Sequence, residues 1–115
     1  MVMGELPVRT DLLVIGGGPG GYAAAFRAAD LGIDVTLVTD EPPGGVCLLR
    51  GCIPSKTLLY LTELLEAARA ADSMGLRFGD PEIDLHGMRG WRDKVVGQLV
   101  HGLEGLCRKR GGQLI

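Results

Sequence analysis

The sequence lacks several features that would each point to a function class. No apolar run approaches the roughly 20 residues that a helix needs to cross a bilayer, so no membrane partner is expected. Aromatic residues make up only 4% of the chain, and the 12 Lys and Arg are scattered among 14 Asp and Glu without a long basic run. Neither the stacking platform nor the positive stripe of a nucleic-acid binder is present. Histidine is limited to His86 and His101, and cysteine to Cys47, Cys52 and Cys107. A structural zinc wants about four ligands at short regular spacings; none of these five residues falls into such a pattern, and no metal is expected. Only about ten residues precede the first strand, too few for a secretory leader. An odd, small cysteine count in that context points to a reducing, cytoplasmic setting. Cysteine pairs there are more often catalytic or metal-binding than structural staples.

What the chain has in excess is glycine, 19 of 115 residues, well above the ordinary usage of about 7%. The glycines cluster at turns and element ends without a repeat, so they report backbone geometry. The mean hydropathy of +0.22 is high for a small domain. That surplus suggests that this piece packs against a cofactor, another domain or a second subunit.

Asp11–Ile15 is a short apolar run that ends in glycines, the pattern of a buried parallel strand. The alanine-rich Gly20–Leu31 reads as a helix stopped by Gly32 in the left-handed region. Asp34–Val38 reads as a second strand, which makes a βαβ opening with a right-handed crossover. Asp40–Gly45 is turn-rich. A long helix is expected from near Pro54, which suits a first helical turn, to Gly75, with Leu58, Leu61, Leu65 and Ala68 as its core stripe. Leu76–Phe78 reads as a short strand and Asp80-Pro81 as a turn. A third helix is expected over Trp91–Lys109, with Val96, Leu99, Val100, Leu103 and Leu106 as its stripe and Arg108, Lys109 and Arg110 at its C-terminal end. Gly111-Gly112 stops it, and Gln113–Ile115 begins a strand. A sheet strand that starts at the last residues suggests a fragment of a longer protein. The fold class is therefore α/β, a partial Rossmann-like domain for FAD or NAD(P) with parallel strands and packed helices.

Two motifs carry chemistry. Gly16-Gly17-Gly18-Pro19-Gly20-Gly21 lies between the first strand and the first helix, the context that the G-x-G-x-x-G dinucleotide fingerprint requires. Gly16 permits the tight turn, Gly18 lets a pyrophosphate approach the backbone, and Gly21 lets helix and strand pack closely. The free N–H groups and positive dipole of the helix start then face the phosphates. The fingerprint also expects an acidic residue at the end of the second strand, for the adenosine ribose. That position falls at Thr39, followed by Asp40 and Glu41. A threonine hydroxyl can hydrogen-bond a ribose less strongly than a carboxylate. No Lys or Arg follows the strand, so FAD or NAD fits better than NADP.

The second motif is Gly44-Gly45-Val46-Cys47-Leu48-Leu49-Arg50-Gly51-Cys52-Ile53-Pro54-Ser55-Lys56. A thiolate is the reactive form of cysteine, and a helix N-terminus or nearby cation favours it. Cys47 and Cys52 lie just before and at the start of the helix that carries Lys56, and Gly51 gives local freedom for the sulfurs to meet. Two structural cysteines or a metal site are the competing readings, and neither flanking sequence suits them well. His86, His101 and Trp91 read as ordinary helix or surface residues, and Cys107 as a packed thiol at the edge of the third helix's stripe.

GGVCLLRGCIPSKTLL resembles the redox-active disulfide segment of the class I flavin disulfide reductases, and within them the dihydrolipoamide dehydrogenase branch, whose usual form is GGTCLNVGCIPSK. DLLVIGGGPGGYAAAFRAADLG also resembles that family's FAD-binding start, and the resemblance extends over essentially the whole chain. It implies FAD held by Gly16, Gly18, Pro19, Gly20 and Gly21, with Thr39 and Asp40 at the adenosine end. Gly44, Gly45 and Val46 would line the flavin's approach to Cys47, and Lys56 would lie near the flavin. Cys52 would be the flavin-proximal, charge-transfer sulfur and Cys47 the interchange sulfur. The implied reaction moves electrons from dihydrolipoamide, carried on the acyltransferase of a 2-oxo acid dehydrogenase complex, through the pair and FAD to NAD. It further implies a homodimeric parent whose NAD-binding and dimerisation domains are absent, residues 1–115 being the N-terminal part of the FAD-binding domain. A sister disulfide or mercuric reductase and a non-catalytic dinucleotide-binding fragment are the alternatives. The chain departs from the family's pattern at Thr39 (usually glutamate), Leu49 (usually asparagine) and Arg50, which adds a cation between the cysteines.

Overall fold

The computed structural model describes residues 9–115. Its elements are strand β1 (Leu12–Ile15), helix α1 (Pro19–Asp30), strand β2 (Val35–Val38), helix α2 (Gly45–Leu49), helix α3 (Cys52–Ala70), helix α4 (Leu85–Lys109) and strand β3 (Gln113–Leu114). The described chain divides into two compact units, residues 9–45 with 102–115, and residues 46–101.

The first unit is an α/β layer pair. Its sheet runs in the order β1-β2-β3, and β2 is parallel to both neighbours, with Val14 opposite Leu37 and Thr36 opposite Gln113. Pairing continues past β3, because Ile115 N–H donates to Leu37 O (3.0 Å) and Thr39 N–H donates to Ile115 O (2.9 Å). Ala25 and Ala28 of α1 pack on Val35 and Leu37 of β2, with Val14, Tyr22 and Ala29 around them. Small alanines let the helix settle close to the sheet. Side chains alternate across a strand, so Leu13 and Ile15 lie on the sheet face away from α1, and they are 53% and 80% exposed. The expected surplus of apolar surface is therefore real and partly lies on this face. Arg110 ties the end of the chain to α1 through an ion pair with Asp30 (2.9 Å) and a position over the Phe26 ring (5.0 Å).

The second unit is helical. In α3, Leu58, Leu61, Leu65 and Ala68 are half-buried. A 3-10 turn over Ala71–Met74 extends the helix to Gly75, whose φ of +85° makes the left-handed stop. Two expectations need correcting. Leu76–Phe78 is not a strand: Leu76 N–H closes back on Ala71 O (3.0 Å) in the helix cap, and the segment pairs with no strand among the described residues. The last helix starts at Leu85, not Trp91. Asp84 caps it, its carboxylate accepting from His86 N–H (3.0 Å) and its carbonyl from Met88 N–H (3.0 Å), and this cap outweighs the weak helix propensity of Gly87 and Gly90. Helix α3 begins at Cys52, the helix start expected for the second cysteine, but the short α2 before it was not expected. In the stripe of α4, Leu99 and Leu106 remain exposed, at 45% and 39%. Among the described residues no helix is long and apolar enough to cross a membrane.

Candidate functional site

The glycine loop is built by the end of β1 and the start of α1. Gly16 takes φ +109°, where L side chains are strained, and its N–H donates to Val38 O (2.8 Å), which anchors the turn to β2. Helix α1 starts from Gly18 with no side-chain cap and Pro19 in its first turn. The first helical bond runs from Tyr22 N–H to Gly18 O (3.0 Å), which leaves the N–H groups of Gly20 and Gly21 at the open end. A Cβ added to Gly16, Gly18 or Gly20 would meet nothing within 4 Å. The space above these three is open, so a bulky anion can reach the backbone. Gly21 differs, since a Cβ there would run into the carbonyl oxygen of Gly16. Its role is the close helix–strand approach that the fingerprint assigns it.

Thr39 follows β2 and is half-buried. Its hydroxyl donates to Glu41 O at 2.9 Å. Asp40 is exposed. Gly44 N–H donates to Gly17 O (2.7 Å), and a Cβ on Gly45, at φ +63°, would sit 2.7 Å from Gly18 Cα. The glycine loop and the Gly44-Gly45 turn thus pack backbone on backbone. Open glycines, free N–H groups at a helix start and oxygen lone pairs at the end of β2 fit the pyrophosphate and ribose of a dinucleotide such as FAD. Sequence reasoning did not single out Gly17, whose carbonyl holds Gly44 and whose bare Cα faces Thr39. The signal available was a glycine at the x position between Gly16 and Gly18, where the fingerprint does not require one.

Cys47 and Cys52 form a disulfide, with Cα atoms 4.6 Å apart. Cys47 lies in α2 and is half-buried, whereas Cys52 opens α3 and is exposed. Gly51 between them has φ −122° and ψ −106°, outside the helical and extended regions, and its bare Cα also gives room. A Cβ there would lie 2.9 Å from Val46 O and 3.3 Å from Cys47 Cα. The tight joint brings the sulfurs together. Helix α3 is 19 residues long and has no side-chain cap, so its N-terminal N–H groups and dipole are available to a thiolate on Cys52. Lys56 is exposed on α3, four residues on and therefore on the same helix face. Ser55 Oγ donates to Gly51 O (2.8 Å) and Cys52 O (3.1 Å), which steadies the helix start. Val46 is 63% exposed.

Cys107 is the remaining thiol, free and buried. Burial pushes it above its ordinary pKa, a rise that its backbone hydrogen bond and the Arg108 charge only partly oppose. The sign follows directly: a raised pKa leaves less thiolate at any pH below it. After reduction, alkylation at pH 8 is expected to modify Cys47 and Cys52 at least about tenfold faster than Cys107, as peptide mass mapping over time would show. Comparable rates at Cys107 would contradict its burial. His86 and His101 are exposed. Among the described residues no three His, Cys, Asp or Glu side chains gather as a metal site.

Residues 10–114 match the family model described as pyridine nucleotide-disulphide oxidoreductase. The chain is 51% identical over its full 115 residues to a protein of Haloarcula marismortui named dihydrolipoyl dehydrogenase 2, and 47% identical over the same length to the dihydrolipoyl dehydrogenase of Halobacterium salinarum. It is 46% identical over 108 residues, 94% of the chain, to the dihydrolipoyl dehydrogenase of Bacillus subtilis. The chain spans 24%, 24% and 23% of these three relatives.

Proposed function

The chain belongs to the pyridine nucleotide-disulphide oxidoreductase family, and from that premise we propose that it is the opening part of an FAD-dependent dithiol–disulfide oxidoreductase acting on dihydrolipoamide. The observation that carries this reading is the Cys47–Cys52 disulfide at the uncapped start of α3. An incoming dithiol attacks one sulfur of the pair, the S–S bond breaks, and a mixed disulfide forms. The second substrate thiol then resolves it, so the substrate leaves as a cyclic disulfide and the pair is left as dithiol. Cys47 is the interchange sulfur in this scheme. Cys52 is the leaving sulfur, stabilised as thiolate by the helix start and by Lys56.

FAD, when bound, would accept the electron pair and pass it to NAD. Gly16, Gly18, Gly20 and Gly21 hold its pyrophosphate in this reading, and Pro19, which opens α1, sets the angle of the cradle. Thr39 and Asp40 face the adenosine, and Gly44, Gly45 and Val46 line the way to Cys47. Residues 1–115 then form the N-terminal part of the FAD-binding domain, with the NAD-binding and dimerisation functions supplied outside it. The parent works as a homodimer in the cytoplasm, on lipoyl groups of a 2-oxo acid dehydrogenase complex. What supports this is the names of the relatives together with a pair that thiols can cycle.

The test separates the half-reaction from turnover. One equivalent of dihydrolipoamide, added anaerobically to the oxidised chain, is expected to create two newly alkylatable thiols, at Cys47 and Cys52. The same chain with NAD is expected to show no steady-state oxidation, because it spans about a quarter of its relatives. Failure of dihydrolipoamide to open the disulfide would overturn the proposal.

A further inference from the structure

We propose that the redox pair favours a dithiol whose short carbon chain ends in a carboxylate over the matching amide, because a groove beside the pair offers that carboxylate the guanidinium groups of Arg50 and Arg92. The inference rests on the reading of Cys47 and Cys52 as a dithiol-exchanging pair. It names a substrate class and two specificity-determining residues for that site.

The groove has a volume of about 450 Å³, within the range of small-molecule sites, roughly 300 to 1,000 Å³. Leu49, Pro54 and Val96 give it apolar walls, and Arg50, Arg92 and Asp93 give it charge. One wall is the redox segment itself. Leu49 is two residues from Cys47, and Arg50 and Pro54 are each two residues from Cys52. Two residues of chain span at most about 7 Å, so this wall begins within that Cα–Cα distance of both cysteines. The other wall is α4, through Arg92, Asp93 and Val96.

Arg92 is held by its neighbour. Its Nε donates to Asp93 Oδ1 at 2.8 Å, and its Nη2 lies 2.7 Å from the same oxygen. A guanidinium carries five N–H donors in a planar fork. Two are engaged by Asp93, which leaves three for a second acceptor, and the fork matches a carboxylate in two-pronged fashion. The Arg92 side chain is only 32% exposed, so water screens it less than a fully exposed cation. Asp93 offsets one of the two positive charges, and Arg50 leaves the groove with an excess of one. An amide end lacks the charge, and its two N–H donors would meet guanidinium groups that cannot accept. The amide still reacts, because the exchange takes place at sulfur. One S–S bond of the pair breaks, one S–S bond closes the substrate ring, and two electrons and two protons pass from the substrate dithiol to the pair. The carboxylate keeps its charge throughout.

The probes are dihydrolipoate and dihydrolipoamide, which differ only at the chain end. Each is reacted anaerobically with the oxidised 115-residue chain, and opening of the Cys47–Cys52 disulfide is followed by quenched alkylation and mass spectrometry. The quantity read is the ratio of the two rate constants, acid over amide, in which any change in the reactivity of the pair cancels. At about 0.01 M ionic strength the acid is expected to react about 3- to 10-fold faster, between the effect of a screened surface pair and that of a charge-assisted hydrogen bond. At about 1 M, where the Debye length is roughly 3 Å, the ratio is expected to fall toward 1. The chain's net charge of −2 acting alone would give the opposite trend, a ratio below 1 that rises with salt. Arg50→Gln and Arg92→Gln are each expected to lower the ratio, and the double variant to erase the preference. A wild-type ratio of 1 or less at low salt, a ratio that rises with salt, or a preference that survives in the double variant would overturn the inference while leaving the dithiol reading intact. If Arg92→Gln does not fold, as judged by circular dichroism, the wild-type salt dependence and Arg50→Gln decide. Failure of both dithiols to open the disulfide would overturn the dithiol reading and the inference together.

Discussion

Replacement of either Cys47 or Cys52 by serine is expected to abolish the exchange of an electron pair with dihydrolipoamide, to below detection by thiol alkylation. A single remaining sulfur can form a mixed disulfide with an external disulfide, but it has no partner to expel the substrate. The two variants are expected to differ in a second respect. In Cys47→Ser the remaining Cys52 stands at the first position of an uncapped 19-residue helix, with Lys56 one turn along the same face. In Cys52→Ser the remaining Cys47 lies in a five-residue helix, whose few aligned peptide dipoles offer little. Thiolate is favoured in the first setting, so Cys52 should react with iodoacetamide several-fold faster than Cys47 at neutral pH, about 3- to 10-fold on the usual scale of such effects. Equal rates, or a faster Cys47, would mean that the start of α3 does not activate its sulfur.

Gly21→Ala is expected to cost about 2 to 3 kcal/mol of stability, the usual range for overpacking a site that cannot relax, which for a domain of this size is a fall of roughly 10 to 20 °C in Tm. The added methyl would collide with Gly16 O and come within 3.0 Å of Gly16 C. Neither atom can step aside cheaply, because Gly16 holds a φ of +109° and its N–H is tied to Val38 O at 2.8 Å. Gly18→Ala makes the contrast. Its φ of −72° and ψ of −179° suit any residue, and its Cβ would meet nothing within 4 Å. That variant should melt within about 1 °C of the wild type, as surface changes usually do, yet bind ADP at least about tenfold more weakly, since the methyl occupies the space that a pyrophosphate needs. Thermal melts and ADP titrations on both variants separate packing from binding. A Gly21→Ala chain of undiminished stability would show that the helix and strand do not approach as closely as described.

The βαβ opening was legible because three signals agreed on it: an apolar run, a glycine loop and an alanine-rich helix closed by Gly32 at φ +78°. The last helix was legible except for its first six residues, 85–90. Gly87 and Gly90 depress helix propensity, and the capping carboxylate of Asp84 was the signal that would have located the true start at Leu85. Helix α2 spans five residues, too few to show a period, and it depends on the joint at Gly51, which no local pattern announces. Leu76–Phe78 looked like a strand from its side chains, but a strand needs a neighbour, and its backbone closes the preceding helix instead. Thr39 at the end of β2 and Cys52 at the start of α3 were legible as positions in the fold. The sequence could not show which way the Thr39 proton points, because that depends on a carbonyl two residues later and on the bare Cα of Gly17.

In the proposed function the Cys47–Cys52 pair would pass its electrons to bound FAD. The direct measurement is the absorbance spectrum of the FAD-loaded chain, recorded anaerobically before and after one equivalent of dihydrolipoamide. Were FAD bound in contact with a Cys52 thiolate, as the proposed function requires, a new broad absorbance at wavelengths beyond the flavin's own bands would appear, and it would be lost in Cys52→Ser. A spectrum that stays that of FAD in solution while two thiols appear at Cys47 and Cys52 would contradict the account.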